Sequence, residues 1–147
     1  MRLQNLLRIG RLKAHEATPA EIQRLLGAVV RNLADAAVGS VSEETRFDAA
    51  YKAVTQCALV ALMAQGFRPS GNESDPHLAT VQSLPLTLGV EDGTSAVLDA
   101  LRRKRNAIDD TGDSVSPDML DECIAQAHAL RAHLLQELAE RHPELLS

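Results

Sequence analysis

The stretch TPAEIQRLLGAVVRNLADA, residues 18–36, decides the fold class. Thr18 can cap a helix, Pro19 suits the first helical position, and Glu21 stands where its side chain reaches back to the cap. Ile22, Leu25, Leu26, Val29, Leu33 and Ala36 then recur at helical spacing and make one apolar stripe, and the helix is expected to end near Gly39. A helix with one apolar stripe must bury it against other elements. The rest of the chain supplies them in the same form.

A second start signal lies at Ser42-Glu-Glu-Thr45, followed by Phe47, Ala50, Tyr51, Val54, Ala58 and Ala61 on one face. The other face begins polar, with Asp48, Lys52 and Gln56, and turns apolar at Leu59 and Met63. The second half of this helix is therefore buried on every side or faces a partner chain. Gly66 is its stop. Residues 68–76 read as a loop, 77–88 as a shorter helix interrupted by Pro85, and 89–93 as a second loop. A helix over 94–110 ends at Gly112. Ser116-Pro-Asp118 opens the last one, whose seam is Leu120, Cys123, Ala127, Leu130, Leu134 and Leu138 and which closes at His142-Pro143. No segment alternates with period two over a useful length, so no strand is expected. The expectation is an all-α, up-and-down four-helix bundle with a short additional helix. It forms one domain over 1–147, with residues 1–17 as an amphipathic arm or helix.

Composition narrows the function. A chain of 147 residues is close to one ordinary domain. Aromatics are 2%, too few for a platform that stacks successive nucleic-acid bases. The net charge of −5 excludes a binder that is basic over its whole surface, though not one with a local basic patch. The two cysteines, Cys57 and Cys123, lack metal or disulfide spacing and fall on or beside apolar faces, which fits small core residues and a reducing cytoplasm. The longest apolar run, Cys57–Met63, is far short of the ~20 residues that span a bilayer, so no membrane role is expected.

The usual nucleotide-loop, nucleophile-elbow and zinc-helix motifs are absent. His128 and His133 lie about 140° apart around a helix and share no metal-binding face. Asp109, Asp110 and Asp113 miss the register of a calcium loop. No metal or cofactor is expected. One place stands out. Arg105 lies inside the stripe Leu98, Leu101, Arg105, Ile108, where a charge is costly unless it is paired or faces a solvated cleft. Asp109, one turn on, is a candidate partner. Asn106 sits at the edge of the same face. With Arg102, Arg103 and Lys104 the run is a local anion-attracting patch in an acidic chain. Asp48 and Lys52 have the spacing of a helix-surface ion pair, and Tyr51 falls on the apolar side.

Leu101-Arg-Arg-Lys-Arg-Asn106, placed late in a chain of four or five helices, resembles the HEPN family, named for higher eukaryotes and prokaryotes nucleotide-binding domains. Asn5-Leu-Leu-Arg-Ile-Gly-Arg-Leu-Lys13, Arg46-Phe-Asp-Ala-Ala-Tyr-Lys52 and Ser83-Leu-Pro-Leu-Thr-Leu-Gly89 resemble a bacterial branch of it. The family signature is an arginine, a polar residue, a few more residues and a histidine. Many members are metal-independent ribonucleases, often toxins, whose two motifs meet in a dimer cleft. The resemblance implies Arg105 as the motif arginine, Asn106 as its polar neighbour and a homodimer. It also implies that polar residues of the second helix, Asp48 and Lys52, can face the cleft beside Arg102, Arg105 and Asp109. The histidine position falls at Asp110, and a carboxylate ionised at neutral pH cannot do the work of a group titrating near 7.

Three functions follow from these residues. The first is a noncatalytic module that binds a nucleotide, an RNA or a protein partner, such as a nucleotidyltransferase-like antitoxin, at the Arg105 cleft. The second is a ribonuclease in which Arg105 stabilises phosphorane charge and Asp110, or the pair Asp48 and Lys52, moves protons. The third is a structural or antitoxin-like partner protein whose interface is the apolar region around Leu59 and Met63.

Overall fold

A computed structural model describes residues 2–71 and 77–147. The described residues are mostly helical, with one small sheet. The chain runs α1 (Leu3–Arg8), β1 (Leu12–Ala14), α2 (Pro19–Ala36), α3 (Glu43–Ala64), β2 (Phe67–Pro69), α4 (Leu78–Gln82), α5 (Leu84–Thr87), α6 (Asp92–Thr111) and α7 (Pro117–Arg141), then a 3-10 turn, Pro143–Leu146.

The cap chemistry read from the sequence forms at three helix starts. Thr18 and Glu21 close a reciprocal capping box: the Glu21 amide donates to Thr18 Oγ1 at 3.2 Å, and the Thr18 amide donates to Glu21 Oε1 at 3.0 Å. Ser42 accepts from the Thr45 amide and Ser116 from the Met119 amide. At the far end of α6, Gly112 takes the left-handed conformation that a helix C-terminus favours and that glycine adopts without strain. Helix α6 begins at Asp92, two residues before the expected start, since an acidic residue suits a first turn. Pro85 divides the expected 77–88 helix into α4 and α5 and serves in the first turn of the second piece.

Helix α3 is the centre of the molecule. It packs on α2 and α7 and also touches α4, α5, α6 and β2. Most of its second half is buried by this chain: Val60, Ala61, Leu62 and Met63 are all buried, Met63 at 3% exposed. Met63 is therefore not an exposed part of the interface expected around Leu59 and Met63. Leu59 is only half-buried and lines a groove. Arg46, at the start of α3, donates from Nε to the Ala36 carbonyl at 2.8 Å and so satisfies an end group of α2.

The expectation of no strands is corrected. Leu12–Ala14 and Phe67–Pro69 pair antiparallel, with Leu12 opposite Pro69, Lys13 opposite Arg68 and Ala14 opposite Phe67. Three-residue strands are too short to show a period of two, and here the pairing is set by tertiary contact. The sheet takes the start of the expected 68–76 loop; positions 72–76 of that loop lie outside the described residues. The N-terminal arm docks on its own chain, where Leu3, Leu6 and Leu12 form a small second core with Leu62 and Ala79. No helix among the described residues is long and apolar enough to cross a membrane.

Candidate ligand-binding site

Helix α6 has two halves. Leu98 and Leu101 are buried; one turn further on, Arg105 and Ile108 are only half-buried. Arg105 thus sits where the seam opens, its side chain 22% exposed. Asp48 of α3 lies 3.1 Å from its guanidinium, and Asp109 one turn along α6 also bonds it. Asp48 in turn lies 3.6 Å from Lys52. Four of the residues singled out in the sequence, Asp48, Lys52, Arg105 and Asp109, therefore form one linked group of two cations and two carboxylates. A guanidinium on a seam needs such partners, because desolvation without them costs several kcal/mol.

The rest of the basic run is compensated as well. Arg102 donates to Asp99 from Nε and Nη2 at 3.1 and 2.9 Å, and Arg103 reaches the other oxygen of Asp99 at 3.2 Å. Lys104 meets Asp113 at 2.7 Å, and this bond, with one from the Ser114 amide, holds the Asp113 carboxyl below its ordinary range. In the patch read as anion-attracting, residues 102–105 each face an aspartate. Asn106 is half-buried beside them. Asp110 is exposed and makes no ion pair among the described residues. The structure does not bring it to the Arg105 group, for five residues along a helix is about 140° of rotation. Among the described residues, no group of three His, Cys, Asp or Glu side chains is arranged to hold a metal ion.

Arg105 stands on the wall between two hollows. One, of about 290 Å³, is acidic, with Glu44, Asp48 and Asp109 in its lining. The other is a groove of about 440 Å³ between α2, α3, β2 and the start of α4. Its cationic residues are Lys52, Arg68 and Arg105, with the imidazole of His77; Leu25, Leu59 and Pro69 form an apolar side. No carboxylate lines it among the described residues. Tyr51, on the floor, is 1% exposed and meets His77 edge-on, ring centres 6.2 Å apart. This agrees with its apolar placement in the sequence.

Arg68 and His77 are the residues that sequence reasoning missed. Arg68 falls in a segment read as loop, and its position follows from the pairing of β2 with β1. His77 lies far from Arg105 in sequence, so a search for a histidine downstream of that arginine passes it by. No family model, curated protein or solved structure matches the chain.

Proposed function

We propose that this chain is a HEPN-like helical module that binds an anionic ligand, a nucleotide or RNA, in the groove beside Arg105 and does so without efficient catalysis. In this reading the four long helices form an up-and-down bundle, and the module works in the cytoplasm as a homodimer, as the resemblance implies. The observation that carries the binding reading is the groove itself: three cationic side chains and an imidazole converge in a space free of carboxylates among the described residues, on a protein that is acidic overall. The absence of efficient catalysis rests on the motif position. Asp110 is exposed and stands away from Arg105, and the arginine itself is held by two carboxylates that compete with a phosphate for it.

One observation favours a second reading, metal-independent RNA cleavage. His77 shares the groove with Arg105, so an imidazole reaches the arginine's wall from another part of the chain. It would take the proton-transfer role that Asp110 cannot.

The experiment is RNA binding and RNA cleavage by the purified protein in chelator, beside Arg105→Ala and His77→Ala. Binding without cleavage, weakened about tenfold or more in Arg105→Ala, is the expected result. Cleavage lost in His77→Ala would establish the second reading. Binding unchanged in a folded Arg105→Ala protein would refute both.

A further inference from the structure

The three cationic side chains that line the groove are not equivalent. Lys52 and Arg105 share Asp48 as counter-ion, and Arg105 has Asp109 as well. Arg68 has no ion pair among the described residues and is held half-buried on the groove wall by β2, opposite Lys13 of β1. Among the described residues that line the groove it is the cation without a counter-ion, and it is placed by paired backbone. Opposite in character, Leu25, Leu59 and Pro69 offer apolar surface within the same 440 Å³. Spaces of roughly 300–1,000 Å³ suit small organic ligands.

We propose that this groove binds a small organic phosphomonoester, with Arg68 as its anchoring cation and Asp48 as an internal counter-ion that the phosphate displaces. This rests on the anion-binding reading above and names the ligand class and the residue that selects it. A phosphomonoester is close to a dianion at pH 7 and presents oxygens that match the guanidinium fork. Two charges on one group outcompete the single charge of Asp48 for Lys52 and Arg105, while Arg68 gives up no ion pair with any described residue. A carboxylate ligand, with one charge, would merely exchange for Asp48. The apolar side receives the organic body, so inorganic phosphate binds more weakly than its esters.

The test is calorimetric titration with adenosine monophosphate and with inorganic phosphate, at low salt, on the wild-type protein, Arg68→Gln, Asp48→Asn and Arg105→Ala. Circular dichroism confirms that each variant is folded, and Asp48→Glu keeps the counter-ion if Asp48→Asn is not. The expected results are that the monophosphate binds more tightly than inorganic phosphate, that Arg68→Gln weakens it about tenfold or more, and that Asp48→Asn strengthens it severalfold. With Asp48→Glu, affinity stays within a few-fold of wild type. Wild-type affinity in Arg68→Gln, together with loss in Arg105→Ala, would overturn this proposal and leave the wider reading intact. So would binding of an RNA oligonucleotide without binding of either phosphate probe. Weaker binding in a folded Asp48→Asn protein would overturn the counter-ion role. Failure of the wild type to bind monophosphate, phosphate and RNA alike would overturn the wider reading too.

Discussion

Cys57 and Cys123 are fully buried in the main core, and burial pushes both thiols up to about 12. The thiolate is the nucleophile that attacks a disulfide reagent, and neither residue forms it near neutral pH. The native protein is therefore expected to stay unmodified by an aromatic disulfide reagent at pH 8, and the urea-unfolded chain to titrate two thiols. Reaction of the native protein at the unfolded rate would contradict their burial. Arg105 shows the opposite relation of residue to surroundings. It is charged in any state, so the fold supplies carboxylates instead of neutralising it.

At the scale of the element, the start of α2 concentrates several small effects. The Thr18 amide bonds Glu21, which lowers the Glu21 carboxyl below its ordinary 4.5, and His15 Nε2 lies 2.9 Å from the same carboxylate and acts in the same direction. A carboxylate whose folded pKa is depressed contributes stability above its unfolded value and loses it as pH falls through the folded value. Stability is thus expected to drop below about pH 4.5, and Glu21→Gln to flatten that part of the acid-unfolding curve. An unchanged curve in this variant would remove Glu21 from the account. Thr18→Ala is expected to cost about 1 kcal/mol at neutral pH by urea denaturation.

At the scale of the molecule, α3 joins two cores. Its Phe47, Tyr51 and Val54 belong to the large one, and Leu62 belongs to the small one under the N-terminal arm. Leu62 is fully buried, and Leu62→Ala is expected to cost roughly 2–5 kcal/mol. Limited proteolysis should then cut within residues 2–17 before the rest of the chain. Cleavage elsewhere first would mean that the arm does not depend on this contact. The same arm carries β1, and β1 positions β2 and Arg68. Loosening the small core is therefore expected to weaken ligand binding at a groove that Leu62 does not line.

The sequence alone determined the long helices, because their information is local. The stripe from Ile22 to Ala36, the caps at Thr18, Ser42 and Ser116, and Gly112 each act within a few residues, and each formed as read. The anomaly at Arg105 was also legible, since a charge on an apolar stripe breaks a local rule. Its partner Asp109, one turn away, could be named for the same reason. Only the tertiary structure decided the rest. Asp48 reaches Arg105 across two helices, Arg68 is placed by a strand pair of three residues, and His77 enters the groove from a separate segment. The apolar half of α3 allowed two environments, and packing put Val60, Ala61, Leu62 and Met63 in the interior while leaving Leu59 on a groove wall. Such outcomes depend on which surfaces meet when the helices pack, and no periodicity along one segment encodes the position of another.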